Sequence, residues 1–151
     1  MTVRVRDNGA ARLRAALRAR AASAVEVGVL GADAAKAYDE GDEPITVADV
    51  ARWAEFGLGQ PRRSWLKDTI EIKRAELLER MRAEAQAVAR GERTKPEALT
   101  RIGLWIEGEI KQRIANGIDP PNAETTIERK GSSTPLIDTG QLRSSITHRL
   151  S

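Results

Sequence analysis

Apolar residues recur at helical spacing in two long stretches of this chain. The first runs over about residues 64–90 without Gly or Pro, and the second over about 96–116 behind Thr94, a good N-cap. Both patterns are typical of amphipathic helices, which we expect to pack antiparallel and bury their apolar faces. The apolar positions of the first helix are Leu66, Ile70, Leu77, Met81, Ala85 and Val88. Those of the second are Leu99, Ile102, Ile106, Ile110 and Ile114.

The second helix contains two glycines, Gly103 and Gly108. A glycine inside a helix costs about 1 kcal/mol relative to alanine. We therefore expect both glycines to lie where another element approaches the helix closely.

Alternating apolar and polar residues predict strands near both ends of the chain. The alternation occurs over residues 2–6, 24–30 and 146–150. We expect these strands to form a small antiparallel or mixed sheet packed against the two helices, in a single α+β domain over residues 1–151.

Two shorter helices are also predicted. Residues 10–22 form an Ala- and Arg-rich amphipathic segment, and Val47–Phe56 follows Thr46, a good N-cap with Asp49 three residues on. Gly57 or Gly59 ends this helix. Its predicted buried positions are Val50, Trp53 and Ala54.

Two segments lack apolar periodicity and are predicted to be mobile, namely about 32–44 and about 117–140. The first carries five acidic residues against Lys36, but their spacing does not match a calcium loop, so we expect no metal site. In the second, Gly140 is predicted to supply the backbone freedom of a turn before a short helix through Gln141 and Leu142.

Composition excludes several classes of protein. The chain has no cysteine, and no apolar run reaches the roughly twenty residues that a membrane helix needs. It has no Gly-rich phosphate loop and no pair of histidines for a metal, and its single histidine, His148, is predicted to be a strand surface residue. We therefore expect neither an enzyme nor a cofactor.

The C-terminal third carries a family resemblance. Asn116-Gly117-Ile118-Asp119-Pro120-Pro121, Thr126-Ile127-Glu128-Arg129-Lys130-Gly131-Ser132 and Pro135-Leu136-Ile137-Asp138-Thr139-Gly140-Gln141-Leu142 follow one another in order. Together they resemble the virion-morphogenesis or tail-completion proteins of tailed phages. Upstream, Val25–Gly31, Ala54–Gly57 and Pro61–Leu66 look similar, although the second proline usual in the last of these is replaced by Arg62-Arg63-Ser64.

The resemblance implies a structural component of the virion, made in the cytoplasm of a bacterial host. Such a protein forms a homo-oligomeric ring at the phage neck or upper tail. The ring joins the tail tube, or a tail terminator protein, to the head connector or adaptor protein. The residues that the resemblance suggests for partner contacts are Arg62, Arg63, Trp65, Leu136, Ile137, Asp138, Thr139 and Gly140.

Two other functions compete with this interpretation. Residues 1–20 hold six Arg against one Asp, which suits a nucleic-acid-binding accessory protein or a ring face that contacts passing genomic DNA without sequence specificity. The arginines of the predicted helix that would face DNA are Arg12, Arg14, Arg18 and Arg20. Asp138-Thr139-Gly140 also resembles the motif of retroviral-type aspartic proteases, but the helices upstream and the eleven residues after Gly140 do not suit that β-barrel.

Overall fold

The computed structural model describes residues 24–37, 45–120 and 140–151. This part of the chain has an α+β fold, as the hydrophobic pattern predicts. Its elements are β1 (Val25–Val29), a 3₁₀ turn (Gly31–Asp33), α1 (Val47–Phe56), α2 (Lys67–Ile72), α3 (Arg74–Ala89), α4 (Lys95–Asn116), α5 (Gln141–Ser144) and β2 (Ile146–Leu150). None of the described helices is long and apolar enough to cross a membrane.

The sheet is an antiparallel pair of strands that brings distant parts of the chain together. Val25 lies opposite Leu150 and Val29 lies opposite Ile146. The predicted strands at 24–30 and 146–150 are thus confirmed. The predicted strand at 2–6 and the predicted helix at 10–22 lie outside the described residues.

Helix α1 begins and ends as its sequence predicts. The Thr46 hydroxyl accepts a hydrogen bond from the Asp49 backbone N–H at 3.2 Å, and the Asp49 carboxylate accepts one from the Thr46 N–H at 3.1 Å. Gly57 ends the helix with φ of 71°. The buried face is rotated from the predicted one, because Val47, Ala51 and Ala54 are buried while Val50 and Trp53 are only half-buried.

The predicted long helix over 64–90 is divided into α2 and α3 at Lys73. This residue has φ −92° and ψ 6°, which bends the chain without Gly or Pro. The Lys73 N–H still donates to the Thr69 carbonyl at 2.9 Å, and the Leu77 N–H donates to the Lys73 carbonyl at 2.8 Å. Since helical hydrogen bonds reach Lys73 from both sides, the apolar periodicity continues through the bend and gives no sign of the division.

Helix α4 is the centre of the core. It begins at a capping box between Thr94 and Glu97, and it buries Ile106, Ile110 and Ile114 with relative exposures of 0–5%. Its apolar face packs against the sheet and α5, and the same hydrophobic cluster includes Val47, Ala51 and Ala54 of α1. The predicted stripe is therefore confirmed as a core face at Ile106, Ile110 and Ile114, whereas Leu99 and Ile102 are only half-buried.

Helices α3 and α4 run antiparallel, as predicted. Two ion pairs show the direction: Lys73 Nζ lies 2.7 Å from Glu109, and Arg101 Nε lies 2.8 Å from Glu84. Ala87 is the one buried residue of α3. The predicted burial of Met81 and Ala85 is wrong for the isolated chain, because both lie on the outer side of α3 and Met81 is 46% exposed.

The two helix glycines have opposite environments. A Cβ atom at Gly103 would lie 2.6 Å from the His148 ring and 2.8 Å from a Val25 methyl, so the predicted close contact with the sheet is confirmed there. At Gly108, which is exposed, a Cβ would meet no described atom within 4 Å. The close contact predicted at Gly108 is therefore wrong.

His148 is not the strand surface residue that the sequence predicts. Its side chain is only 17% exposed, and its Nδ1 lies 2.7 Å from the Glu107 carboxylate on α4. Lys111 donates to the other oxygen of the same carboxylate at 2.5 Å. Partial burial alone would raise the pKa of Glu107, but the hydrogen bonds from His148 and Lys111 outweigh it and hold that pKa below its usual value.

The two predicted mobile segments are partly described. Residues 31–37 form the 3₁₀ turn and a β-bridge between Ala37 and Thr46, which the sequence did not predict. Residues 38–44 lie outside the described part, together with four of the five acidic residues considered for calcium. Of the segment 117–140, residues 117–120 and 140 are described, and the mobility predicted for the remainder stays a prediction.

Candidate partner-binding site

The loop over residues 57–66 carries three of the predicted partner-contact residues and connects α1 to α2. Gly57 turns the chain sharply enough that a Cβ on it would lie 2.9 Å from the Arg62 Cβ. The turn sends the loop back along the last turn of α1. A glycine is required because φ is positive and because Arg62 occupies the space of a side chain.

Glu55, a buried carboxylate of α1, fixes this loop. It accepts hydrogen bonds from the Ser64 hydroxyl at 2.7 Å, the Leu66 N–H at 2.9 Å and the Lys67 N–H at 3.1 Å. The side chain therefore satisfies donors at the start of α2 that lack partners within the helix. Glu55 is only 7% exposed, so its charge is stabilised by these donors rather than by water.

Trp65 belongs to the core rather than to the surface. It is 4% exposed, and its indole N–H donates to the Ala51 carbonyl at 2.9 Å. Next to it, the Arg63 backbone N–H donates to the Ala54 carbonyl at 2.8 Å. The partner-contact role predicted for Trp65 is not supported, because the folded chain buries this side chain against α1.

Arg63 is also buried, with 5% exposure. Its Nε donates to the Pro120 carbonyl at 2.7 Å, which ties the loop to the chain that follows α4. Removal from water lowers the pKa of the guanidinium. Arg63 is thus not the exposed loop arginine that the sequence suggested, and in the isolated chain it faces inward.

Arg62 does reach the solvent. Its side chain is 51% exposed, and its Nη2 lies 2.9 Å from Asp68 Oδ1. Partial burial alone would raise the pKa of Asp68, but hydrogen bonds from Arg62 and Ser64 and the positive charges of Arg62 and Arg113 lower it overall. Arg62 is therefore held in place by an ionised carboxylate and still has guanidinium N–H groups near the surface.

Two apolar residues at this turn are exposed to solvent. Phe56 is 66% exposed and Leu58 is 48% exposed, and both flank Gly57, against which Arg62 packs. We call Phe56, Leu58 and Arg62 the contact surface. At about 100° per residue around a helix, Phe56 lies about 140° from the buried Ala51, so a helical wheel drawn on α1 could have found it.

The remaining predicted site residues are mostly outside the described part. This holds for the arginines at 12, 14, 18 and 20 and for Leu136, Ile137, Asp138 and Thr139. Gly140 is described: its φ is 69°, and it directly precedes α5, whose Leu142 is fully buried. The predicted turn and short helix are therefore confirmed.

The chain matches no family model, no curated protein and no solved structure. Its function is therefore inferred from its residues and their geometry.

Proposed function

We propose that this chain is a structural component of a tailed-phage particle that forms a homo-oligomeric ring at the neck or upper tail. In this role it joins the tail tube or a tail terminator to the head connector or adaptor protein. It binds and orders the neighbouring proteins of the particle and uses no cofactor. The proposal starts from the sequence resemblance described above.

One structural observation supports the proposal most directly: three segments that carry the resemblance pack together. Glu55 in the segment Ala54–Gly57 accepts three hydrogen bonds from the segment Pro61–Leu66 and the residue after it. Arg63 in turn donates to Pro120, 57 positions away, in the Gly-x-x-Pro-Pro turn. These three segments are thus interdependent parts of one folded unit rather than unrelated short motifs.

The contact surface suits a partner protein. Aromatic residues and arginine are enriched in protein interfaces, because they supply large apolar area and directional hydrogen bonds. Phe56 and Leu58 provide the apolar area, and Arg62, which packs against the intervening Gly57, is held by Asp68. We assign this surface to contact with a neighbour in the particle.

A ring forms if each copy of the chain binds the next one head-to-tail, through two different surfaces. Such an assembly closes into a ring when the rotation between neighbouring copies divides a full turn into a whole number of steps. Native mass spectrometry of the full chain tests this directly. A single closed oligomer that persists on dilution supports the ring. A chain that stays monomeric at high concentration requires a partner protein as the template.

Quantitative mass spectrometry of purified particles tests the location. The strain that encodes the chain is induced, its particles are purified, and the ratio of this chain to the tail-tube protein is measured. A ratio of one ring per particle supports the proposal. Absence from particles would overturn it, and duplex-DNA binding that falls steeply with salt would then indicate the nucleic-acid-binding alternative.

Variants of the contact surface separate assembly from folding. Phe56→Ser removes the most exposed large apolar residue of the described part, and Leu104→Ser is a matched control on α4, where Leu104 is 56% exposed. Both variants should remain folded. We expect Phe56→Ser to reduce incorporation into particles and Leu104→Ser to leave it unchanged.

A further inference from the structure

Strand β1 has an edge that β2 does not cover. The described sheet has two strands, so each strand has one neighbour and one free edge. Ala24 and Ser151 donate to each other's carbonyls at 3.0 and 3.1 Å, which fixes the phase of the ladder. Because hydrogen-bonded and non-hydrogen-bonded pairs alternate along an antiparallel ladder, the N–H and C=O groups of Val25, Val27 and Val29 point away from β2. We call these backbone groups the β1 edge.

Nothing in the described part of the chain pairs with the β1 edge. None of the three valines has a backbone hydrogen bond to a described residue outside the ladder with β2. Proteins usually protect such an edge with lysine, proline or a β-bulge. Strand β1 has the sequence VEVGV, and its register with β2 is regular over all five residues, so it has none of these features. The edge is therefore available to another strand.

The side chains of β1 restrict which strand can be added. A Val25 methyl lies close to Gly103 of α4, so the three valines share the face that packs on α4. All three are only half-buried and have apolar area left to cover. Glu26 and Gly28 lie on the opposite face, where Glu26 binds Arg149 of its own chain at 2.7 Å. An added strand must bring apolar residues to the α4 face and place no negative charge opposite Glu26.

Strand β1 of a second copy meets both requirements, because the sequence VEVGV is nearly symmetrical about Val27. Antiparallel pairing about this residue sets the two Val27 residues opposite each other and each Val25 opposite a Val29. It also sets each Glu26 opposite a Gly28, so no like charges face each other. Pairs of β-branched side chains across strands stabilise a sheet, and each valine pair here also exchanges two backbone hydrogen bonds.

The free edge of β2 is less suited to a partner strand. On its α4 face Ile146 is already buried, with 1% exposure. His148 on the same face is bound to Glu107 at 2.7 Å. Little apolar area therefore remains for another strand to cover, which favours pairing through β1 alone.

We propose that the β1 edges of two copies pair antiparallel about Val27 and join the two sheets into one sheet of four strands. The copies are related by a two-fold axis, so the contact closes with two copies. It covers only the edges of short strands, and interfaces below about 1,200 Å² are typical of weak complexes. We expect a Kd of about 0.1 mM. The β1 edge shares no residue with the contact surface, and the proposal does not depend on the role of the chain in a phage particle.

Amide exchange with water tests this pairing residue by residue. The rates are measured in ¹H–¹⁵N spectra of the full chain at about 50 µM and about 1 mM. For a Kd of about 0.1 mM, mass action lowers the monomeric fraction from about 60% to about 20% between these concentrations. The amides of Glu26 and Gly28, which are directed to β2, report that the fold is intact at both concentrations.

We expect the exchange rates of the three β1-edge amides to fall about threefold at the higher concentration, because their N–H groups become hydrogen-bonded in the dimer. The amides on the free edge of β2 should exchange at the same rate at both concentrations. These control amides are those of Ile146, His148 and Leu150.

A proline variant supplies the second test. Val27→Pro removes the central donor of the β1 edge, and proline is tolerated where the backbone N–H at a sheet edge faces solvent. In this variant the Val25 and Val29 amides should exchange at the same rate at both concentrations. Leu150→Pro is the matched control, because it removes an N–H from the free edge of β2, and it should keep the concentration dependence.

Three results would overturn the proposal. Rates of the β1-edge amides that do not depend on concentration would show either an unpaired edge, if they are fast, or pairing within one chain, if they are slow. Equal slowing on the free edge of β2 would show that β1 pairs with β2 of another copy. Concentration dependence that persists in Val27→Pro would show that pairing does not use this edge. If Val27→Pro does not fold, the rates of the natural chain decide alone.

Discussion

Replacing Glu55 by Gln tests whether one buried carboxylate holds the loop that carries the contact surface. The substitution keeps the shape of the side chain and removes its charge. It also replaces one of the two acceptor oxygens by an NH₂ group. Since Oε1 accepts from Ser64 and Lys67 while Oε2 accepts from Leu66, the amide can serve at most one of these two sets.

The expected loss of stability follows from these three hydrogen bonds. With the amide oxygen at the Oε1 position, the Leu66 N–H faces another donor, and a bond worth about 1.5–3 kcal/mol is lost. The two remaining bonds weaken by about 1 kcal/mol each, because the acceptor is no longer charged. A neutral amide is easier to bury than a carboxylate, which offsets part of this loss. We expect a net loss of about 2–3 kcal/mol in the free energy of unfolding, or about 5–10 °C in Tm for a chain of this size.

Urea denaturation followed by far-UV circular dichroism measures this free energy. Glu79→Gln is the matched control, because Glu79 is an exposed carboxylate on α3 with no ion pair among the described residues, and it should change stability by less than about 0.5 kcal/mol. Ser64→Ala combined with Glu55→Gln completes a double-mutant cycle. We expect a coupling energy of about 1 kcal/mol, since the two side chains share a hydrogen bond.

Equal stability of Glu55→Gln and Glu79→Gln would refute the reasoning, because the buried carboxylate would then contribute no more than an exposed one. Additive effects of Glu55→Gln and Ser64→Ala would refute the hydrogen bond between these two side chains. In that case Glu55 would hold the loop through the backbone N–H groups of Leu66 and Lys67 rather than through Ser64.

Three further predictions follow from the core. Gly103→Ala should destabilise the chain by about 1–3 kcal/mol, although alanine has the better helix propensity, whereas Gly108→Ala should stabilise it by up to about 1 kcal/mol. Equal effects of the two substitutions in urea denaturation would contradict the close contact of Gly103 with the sheet. The folded pKa of Glu107 lies below its ordinary value of 4.5, so its contribution to stability is present above that pH and is lost as the pH falls through the folded pKa. The difference in unfolding free energy between the natural chain and Glu107→Gln should therefore shrink as the pH falls below about 4.5, and a difference that is unchanged between about pH 4.5 and about pH 3 would contradict this account. Met81→Ser should cost less than about 1 kcal/mol while Ile110→Ala costs about 2–5 kcal/mol, and similar costs would place Met81 in the core.

The sequence predicts those features of the fold that depend on neighbouring residues. The Thr46 cap is recognisable because a hydroxyl and a carboxylate three positions apart satisfy each other's backbone donors. The isoleucines of α4 recur at helical spacing, so their burial follows from periodicity alone. Antiparallel packing of α3 and α4 follows from the short connection between them.

The features that the sequence did not reveal depend on residues far apart in the chain. Glu55 looks like a surface carboxylate until the loop returns to it nine positions later, and Arg63 becomes buried through a carbonyl 57 positions away. His148 acquires its carboxylate partner from α4, 41 positions away. No local pattern encodes such pairs, which is why Arg63 was predicted as a partner contact and His148 as a surface residue, and why no role was predicted for Glu55.

The outer face of α3 shows that an apolar pattern in the sequence does not by itself predict burial. An apolar stripe indicates that one face of a helix is suited to burial, but it does not indicate which element covers that face. Helix α4 already lies between α3 and the sheet, so α3 forms an outer layer that contacts only α4 and its chain neighbour α2 among the described helices, and Leu78 and Met81 remain 42% and 46% exposed. Full burial of a Leu or Met side chain is worth about 1.5–3 kcal/mol, and the isolated chain obtains only part of this from these two residues. Besides its partial apolar burial, α3 is tied to α4 by the ion pair of Glu84 with Arg101 and by the Arg80 guanidinium, which lies 4.6 Å from the centre of the Trp105 ring. An exposed ion pair contributes at most about 1 kcal/mol, so α3 is held less firmly than a core helix.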